Sequence, residues 1–145
     1  MNFDDYFQIM QTIARYGHAL DSADVSFAEV LTEDVVFDFT HSGRPGNPGP
    51  VVRGRRQVLE LMTGSAEDPI AHDPRESRPG LSHHTTNSEI VRDGGDEVEV
   101  RSKYLRLAPS QRGQTVVVIG QYIDTLARTA AGWRISKRVV IAHAV

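Results

Sequence analysis

The sequence predicts an α+β fold: a cone-shaped α+β barrel in which N-terminal helices pack on a curved, mostly antiparallel sheet that encloses a pocket. Three observations predict it. Apolar residues recur at helical spacing in the first part of the chain and at strand spacing beyond residue 82. Helical segments come first and strands follow as a meander, which is α+β order. Six of the seven prolines lie in two stretches, Pro45/Pro48/Pro50 and Pro69/Pro74/Pro79, so extended regular structure belongs to the C-terminal part, where only Pro109 falls.

The first helix is read from Tyr6, Ile9, Ile13, Tyr16 and Leu20, one apolar stripe at three- and four-residue steps. Asp4 and Asp5 suit its first turn, where exposed N–H groups favour negative charge. Asp24 can cap a short second helix carrying Phe27, Val30 and Leu31. Val35 to Phe39 reads as a strand, and Arg55 to Met62 as a helix with Val58, Leu59 and Met62 inward. Between them, Thr40 to Val52 holds Gly43, Gly46 and Gly49 among three prolines, which excludes a helix or a central strand. Such a loop is either a lid that could bring His41 or Arg44 to the pocket or a surface insertion.

Strands then follow. His83 to Val91 runs into Asp93-Gly94-Gly95-Asp96, a tight hairpin signal. Glu97 to Leu107 alternates with Val98 and Val100 on one face, and the later pair Leu105 and Leu107 suggests a bulge near Ser102–Tyr104. Thr115 to Ala127 and Trp133 to Ala142 complete the meander. In Thr115–Ala127 apolar residues occupy both faces, Val117, Ile119, Ile123 and Ala127 on one, Val116, Val118, Tyr122 and Leu126 on the other. Both faces are therefore expected to be buried, which predicts a homo-oligomer, most simply a homodimer.

Composition narrows the function. The chain has 145 residues, which predicts one domain spanning 1–145. A formal net charge of −3 disfavours nucleic acid as a partner. No cysteine is present, which excludes disulfides, thiolate metal sites and a cysteine nucleophile. The longest apolar run, Val116 to Ile119, is far too short to span a bilayer. The N-terminus lacks a signal-peptide pattern, so a cytoplasmic location with no membrane partner is expected. Glycine-rich dinucleotide and phosphate loops, Gly-x-Ser-x-Gly and His-Glu-x-x-His are missing from the sequence. No cofactor and no metal are expected, since the adjacent strand residues His83 and His84 diverge.

Four fragments carry a resemblance. They are Tyr16-Gly17-His18-Ala19-Leu20-Asp21, Asp34-Val35-Val36-Phe37, His83-His84-Thr85-Thr86-Asn87 and Gly132-Trp133-Arg134-Ile135. In this order they resemble the SnoaL-like branch of the nuclear transport factor 2-like superfamily, over essentially the whole chain. That group includes polyketide cyclases, scytalone dehydratase, bile-acid 7α-dehydratase, lindane dehydrochlorinase and ketosteroid isomerase relatives. The resemblance implies a cofactor-independent lyase, isomerase or cyclase acting on a small hydrophobic, oxygenated ring compound. It also implies dimers packed through the sheet. The same fold forms the non-catalytic small subunit of ring-hydroxylating dioxygenases, so a ligand-binding or assembly module is the alternative.

Residue by residue, the resemblance makes His83 the base, Asp21 its orienter and Tyr16 the partner of a substrate oxygen. His83 stands four residues before Asn87, as in the family's His-x-x-x-Asn, and Tyr16 and Asp21 keep the Tyr-x-x-x-x-Asp spacing. The chemistry suits these types: imidazole exchanges protons near neutrality, and a carboxylate fixes its tautomer and steadies the imidazolium. Against this, Asp21 could be a mere cap, though Asp24 is better placed for that. Alternation sends His83, Thr85 and Asn87 to one face and His84, Thr86, Ser88 and Ile90 to the other. Phe37, Phe39, Tyr104, Tyr122 and Trp133 could line the cavity. Asp38 and Asp124 interrupt apolar strands, which suggests a pocket or a paired charge. Arg138 could receive an anionic group. The expected substrate-binding set is Phe37, Asp38, Phe39, Asn87, Tyr104, Tyr122 and Arg138. Arg53-Gly54-Arg55-Arg56 reads as a solvated helix start.

Overall fold

Asn2 begins the first helix. Its Oδ1 accepts the N–H of Asp5 at 2.8 Å, the three-residue reach of an N-cap, and α1 runs from Phe3 to Ser22. The computed structural model describes residues 1–22, 26–43, 46–63 and 82–144. Within them follow α2 (Ser26–Glu29), β1 (Leu31–His41), β2 (Val51–Arg53), α3 (Arg55–Thr63), β3 (Ser82–Asp93), β4 (Glu97–Ser110), β5 (Gly113–Thr129) and β6 (Gly132–Ala144). The strands form one sheet in the order β2-β1-β6-β5-β4-β3, antiparallel except for the parallel pair β1–β6. This is the α+β arrangement expected, with α1 and α3 against the concave face. Asp24 lies outside the described residues. Val30 is buried in the turn after α2, and Leu31 opens β1 rather than ending the helix.

The stripe on α1 buries Ile9, Ile13, Tyr16 and Leu20 as the periodicity requires, but Tyr6 is 48% exposed. Asp5 takes the inward place at that end. Its carboxylate accepts both guanidinium nitrogens of Arg128 at 2.7 and 2.8 Å and the indole N–H of Trp133 at 3.0 Å. Arg128 also lies over the Trp133 ring, 4.7 Å from its centroid. Thr12 adds a buried bond to the Trp133 carbonyl at 2.9 Å. Polar residues thus fasten α1 to β5 and β6 beside the apolar core.

Two features of the strands differ from expectation. The expected loop after Phe39 is the turn of a hairpin: β1 continues to His41, and β2 pairs back on it through Phe37↔Val52. Gly49 packs so closely on Phe39 that a Cβ would collide with its carbonyl oxygen. His41 is exposed at the end of β1, and Arg44 lies outside the described residues. The bulge, moreover, is on β3 and not at Ser102–Tyr104. Thr86 pairs with Lys103 and Glu89 with Arg101, so β3 carries the extra residue, and Asn87 there has a φ of 53°. β4 keeps its alternation from Val98 through Val100, Ser102 and Tyr104, and Leu105 belongs to the opposite face.

The register lays the concave face out in rows. Val100, Asp124 and Arg138 form one row, Ser102, Tyr122 and Val140 the next, then Thr85, Tyr104 and Gly120, and last His83, Arg106 and Val118. The dry core of Ile9, Ile13, Leu31, Val35, Val98, Leu126 and Ile135 lies on one side of the Asp124–Arg138 row, and aromatic and polar residues lie on the other.

Hydrogen bonds from Arg128 and Trp133 hold the Asp5 carboxyl down from 3.8 to about 2. A depressed carboxyl contributes stability above its unfolded value and loses it as pH falls through the folded one. Asp5→Ala should lower the melting temperature at neutral pH, and its deficit against the native chain should shrink between about pH 4 and about pH 2. Thermal unfolding followed by circular dichroism across that range measures it; a deficit unchanged at the acid end would overturn the assignment.

Candidate functional site

Asp21 stands in the last turn of α1, where the carbonyl end of the helix disfavours a carboxylate. His83 compensates from the start of β3. Its backbone N–H donates to Oδ1 and Oδ2 of Asp21 at 3.0 and 2.9 Å, and its ring Nδ1 lies 2.6 Å from Oδ1. A carboxylate can only accept here, so Nδ1 carries the hydrogen and Nε2 of the neutral ring is left as an acceptor. Nε2 has no side-chain partner among the described residues. Side-chain exposures of 11% for His83 and 15% for Asp21 leave the pair accessible yet sheltered. His84 is exposed on the other face and shares a 2.8 Å bond with the Ser82 hydroxyl.

His83 forms a wall common to two spaces. An outer cleft of about 400 Å³ runs between α1 and β3, lined by Gly17, His18, Asp21 and the residues from Ser82 to Thr86. An inner chamber of about 110 Å³ is lined by Tyr16, Phe39, Met62, His83, Tyr104, Arg106, Val118, Tyr122 and Val140. Tyr104 and Tyr122 stack with centroids 4.1 Å apart, and Tyr16 meets Tyr122 edge-on at 6.1 Å. Gly120 makes this stacking possible. It pairs with Tyr104 across the strands, and a Cβ there would stand 2.8 Å from the Tyr104 ring and collide with the Ile141 carbonyl. Burial raises the phenol pKa of Tyr16 and Tyr104, and that of Tyr122 well above the ordinary value, so at neutral pH all three keep their O–H groups.

Beneath the chamber Arg138 is fully buried. It donates from Nε and Nη2 to the two oxygens of Asp124 at 2.6 and 2.7 Å. Its guanidinium carbon lies 3.7 Å from the Tyr16 ring centroid and 3.9 Å from that of Tyr122. Burial, the largest single influence, opposes its charge, but the Asp124 carboxylate together with Tyr16 and Tyr122 outweighs it and raises the Arg138 pKa, so the guanidinium stays charged.

Comparison with known proteins places this architecture. A model of the SnoaL-like domain matches residues 2–139. The chain belongs to the SnoaL-like family. No curated protein matches it in sequence. Among solved structures, a variant of a protein of unknown function from Mycobacterium tuberculosis is 25% identical, with a TM-score of 0.74, over 97% of this chain and 73% of that one. A proposed scytalone dehydratase from Novosphingobium aromaticivorans is 21% identical, with a TM-score of 0.71, over 99% and 86%. The β subunit of a proposed aromatic-ring-hydroxylating dioxygenase from the same organism is 16% identical, with a TM-score of 0.71, over 96% and 89%. At such identities the last two likenesses are likenesses of fold.

Within this SnoaL-like domain the expected site residues divide into two groups. Tyr16, Phe39, His83, Tyr104 and Tyr122 line the inner chamber, with Asp21 bonded to His83. The others lie elsewhere. Phe37 is fully buried core, packed on the Tyr16 and Phe39 rings. Asp38 is absent from the chamber lining; its Oδ1 accepts the Thr40 N–H at 2.9 Å and the Thr40 hydroxyl at 2.6 Å. Those bonds lower its pKa. Asn87 is exposed at the β3 bulge, which moves Ser88 and Ile90 to the inner side in its place. Trp133 belongs to the core, and Arg138 lies below the chamber with its fork committed to Asp124. Met62, Arg106, Val118 and Val140 complete the lining and were not expected. Unbroken alternation of β4 past Tyr104 is the signal that places Arg106 there. Removing the Asp124 carboxylate would strand a buried cation. Asp124→Ala should therefore cost about 3–5 kcal/mol in urea unfolding, and a loss below about 1 kcal/mol, the scale of an exposed pair, would overturn the pairing's importance.

Proposed function

We infer that this SnoaL-like protein is an enzyme that moves a proton on a small, hydrophobic, oxygenated ring compound by general acid–base catalysis without a cofactor. The observation that carries this reading is the Asp21–His83 pair, with Nε2 of His83 left as an acceptor at the wall of an aromatic chamber. In the reaction Nε2 takes a proton from a carbon next to a carbonyl, and the electron pair moves onto the carbonyl oxygen. Asp21 steadies the imidazolium through Nδ1–H. Return of the electron pair expels a β-hydroxyl, shifts a double bond or closes a ring, and His83 gives back the proton. Tyr16, a buried phenol at the chamber wall, stabilises the developing oxyanion.

A second reading, a non-catalytic binding or assembly module, has one specific support. The two backbone bonds from His83 to Asp21 would hold β3 on α1 without any chemistry. Kinetics separates the readings. On a turned-over ring substrate, His83→Ala and Asp21→Asn should each lower kcat/KM by roughly 10²–10⁴-fold. Full activity in both folded variants would leave the module.

A homodimer joined through the sheet fits the convex face. Leu105, Ile119, Ile123, Val139 and Ile141 lie on that face, and Ile119 is 50% exposed in the single chain. Light scattering at micromolar concentration should give twice the chain mass, and Ile119→Lys should return it to the monomer. A monomeric native chain would exclude this assembly.

A further inference from the structure

We propose that the inner chamber selects a single-ring substrate bearing a carboxylate, and that Arg106 is the residue that receives it. This rests on reading the chamber as the substrate site. The argument begins with register. Arg106 pairs with His83 on one side and Val118 on the other, and all three line the chamber. Directly opposed residues on one face of a sheet stand about 5 Å apart at Cβ, so a group held by Arg106 lies next to the His83 ring.

Arg106 has no acidic partner among the described residues. Its Nε is buried without a hydrogen bond, and no ion pair involves it among the described residues. The other inward arginine, Arg138, is matched by Asp124 through two bonds, with its Nη1 alone left without a hydrogen bond. Among the described residues the sheet therefore supplies a carboxylate to Arg138 and none to Arg106, which is half-buried with its Nε fully enclosed. Among the described residues no carboxylate lines the chamber; Asp21 reaches it only through His83. What lines it is one guanidinium, three phenols, one imidazole and apolar side chains. Such a lining is rich in donors, and an anion completes it. A guanidinium fork matches the two oxygens of a planar carboxylate. Size gives the upper bound: at about 110 Å³ the chamber is smaller than the roughly 150 Å³ cavity that accommodates benzene, so a single ring enters it only in part and nothing larger than one ring is seated there.

The test is a titration of the full-length chain with benzoate and with benzamide, its neutral analogue of like shape, read by calorimetry and by methyl shifts of Val118 and Val140. Benzoate should bind about tenfold or more tightly than benzamide, the scale of a charge-assisted bond. Arg106→Gln should abolish that preference, and Arg106→Lys should retain part of it. Thermal unfolding shows whether each variant folds. If Arg106→Gln does not fold, the native chain's preference between the two probes still decides. Equal binding of both probes, or a preference that survives Arg106→Gln, overturns the carboxylate assignment and leaves the chamber as a site. Failure of both probes to move the Val118 and Val140 signals overturns the chamber reading, and this proposal with it.

Discussion

A fully buried guanidinium sets the geometry of the concave face. Charge in an apolar interior is costly unless it is paired and hydrogen-bonded, and Arg138 answers with a forked pair to Asp124 and two aromatic faces. The partners come from two other elements: Asp124 and Tyr122 from β5 and Tyr16 from α1, with Arg138 itself on β6. Satisfying this one cation therefore fixes α1 over the sheet and fixes the Tyr122 ring. Tyr122 in turn carries the stacked Tyr104, which Gly120 accommodates. The row containing Arg138 is also a boundary, because aliphatic side chains dominate below it and the chamber opens above it.

The Asp21–His83 contact depends on that placement of α1. Tyr16 and Asp21 stand five positions apart, so the same helix presents one to Arg138 and the other to β3. Asp21 binds the backbone and the ring of His83 at once. The backbone bonds fix where β3 begins, and the ring bond fixes which nitrogen carries the hydrogen. Position and tautomer are thus set by one carboxylate. The unfavourable helix-end location is tolerable because three donor contacts meet it there.

Much of this was legible in the sequence, and the gaps have physical causes. Ile9, Ile13, Tyr16 and Leu20 declared α1 because burial of one helical face leaves a 3.6-residue trace. Alternation from His83 was sound for as long as the strand stayed regular. It failed at Asn87 because the bulge falls within the polar run Thr85 to Ser88, where no apolar residue marks a change of face. Asp5 replaced Tyr6 at the inner side of α1 because its partners, Arg128 and Trp133, are distant in sequence. Arg138 and Asp38 looked equally suited to a ligand; only register shows that Asp124 stands opposite Arg138, and only local geometry turns Asp38 to Thr40.

Arg106 is the most instructive miss. Leu105 and Leu107 are apolar, and a hydrophobic pattern read as inward-facing forces a bulge at Ser102–Tyr104 to accommodate them. The sheet has apolar residues on its convex face as well, so hydrophobicity alone could not tell the two faces of β4 apart. Once β4 is kept regular, Val100, Ser102, Tyr104 and Arg106 form one inward series, and polarity rises along it from core to chamber. β5 and β6 instead carry their charges in the middle row and turn apolar again beside the chamber, at Val118 and Val140. β5 passes from Leu126 through Asp124 to Tyr122, and β6 from Ile135 to Arg138. The face is therefore dry at the core end and mixed at the chamber end, where one guanidinium, one imidazole and three phenols stand among apolar side chains. Register joins the strands that carry this face, which is why pairing between strands, more than any single motif, defines the site.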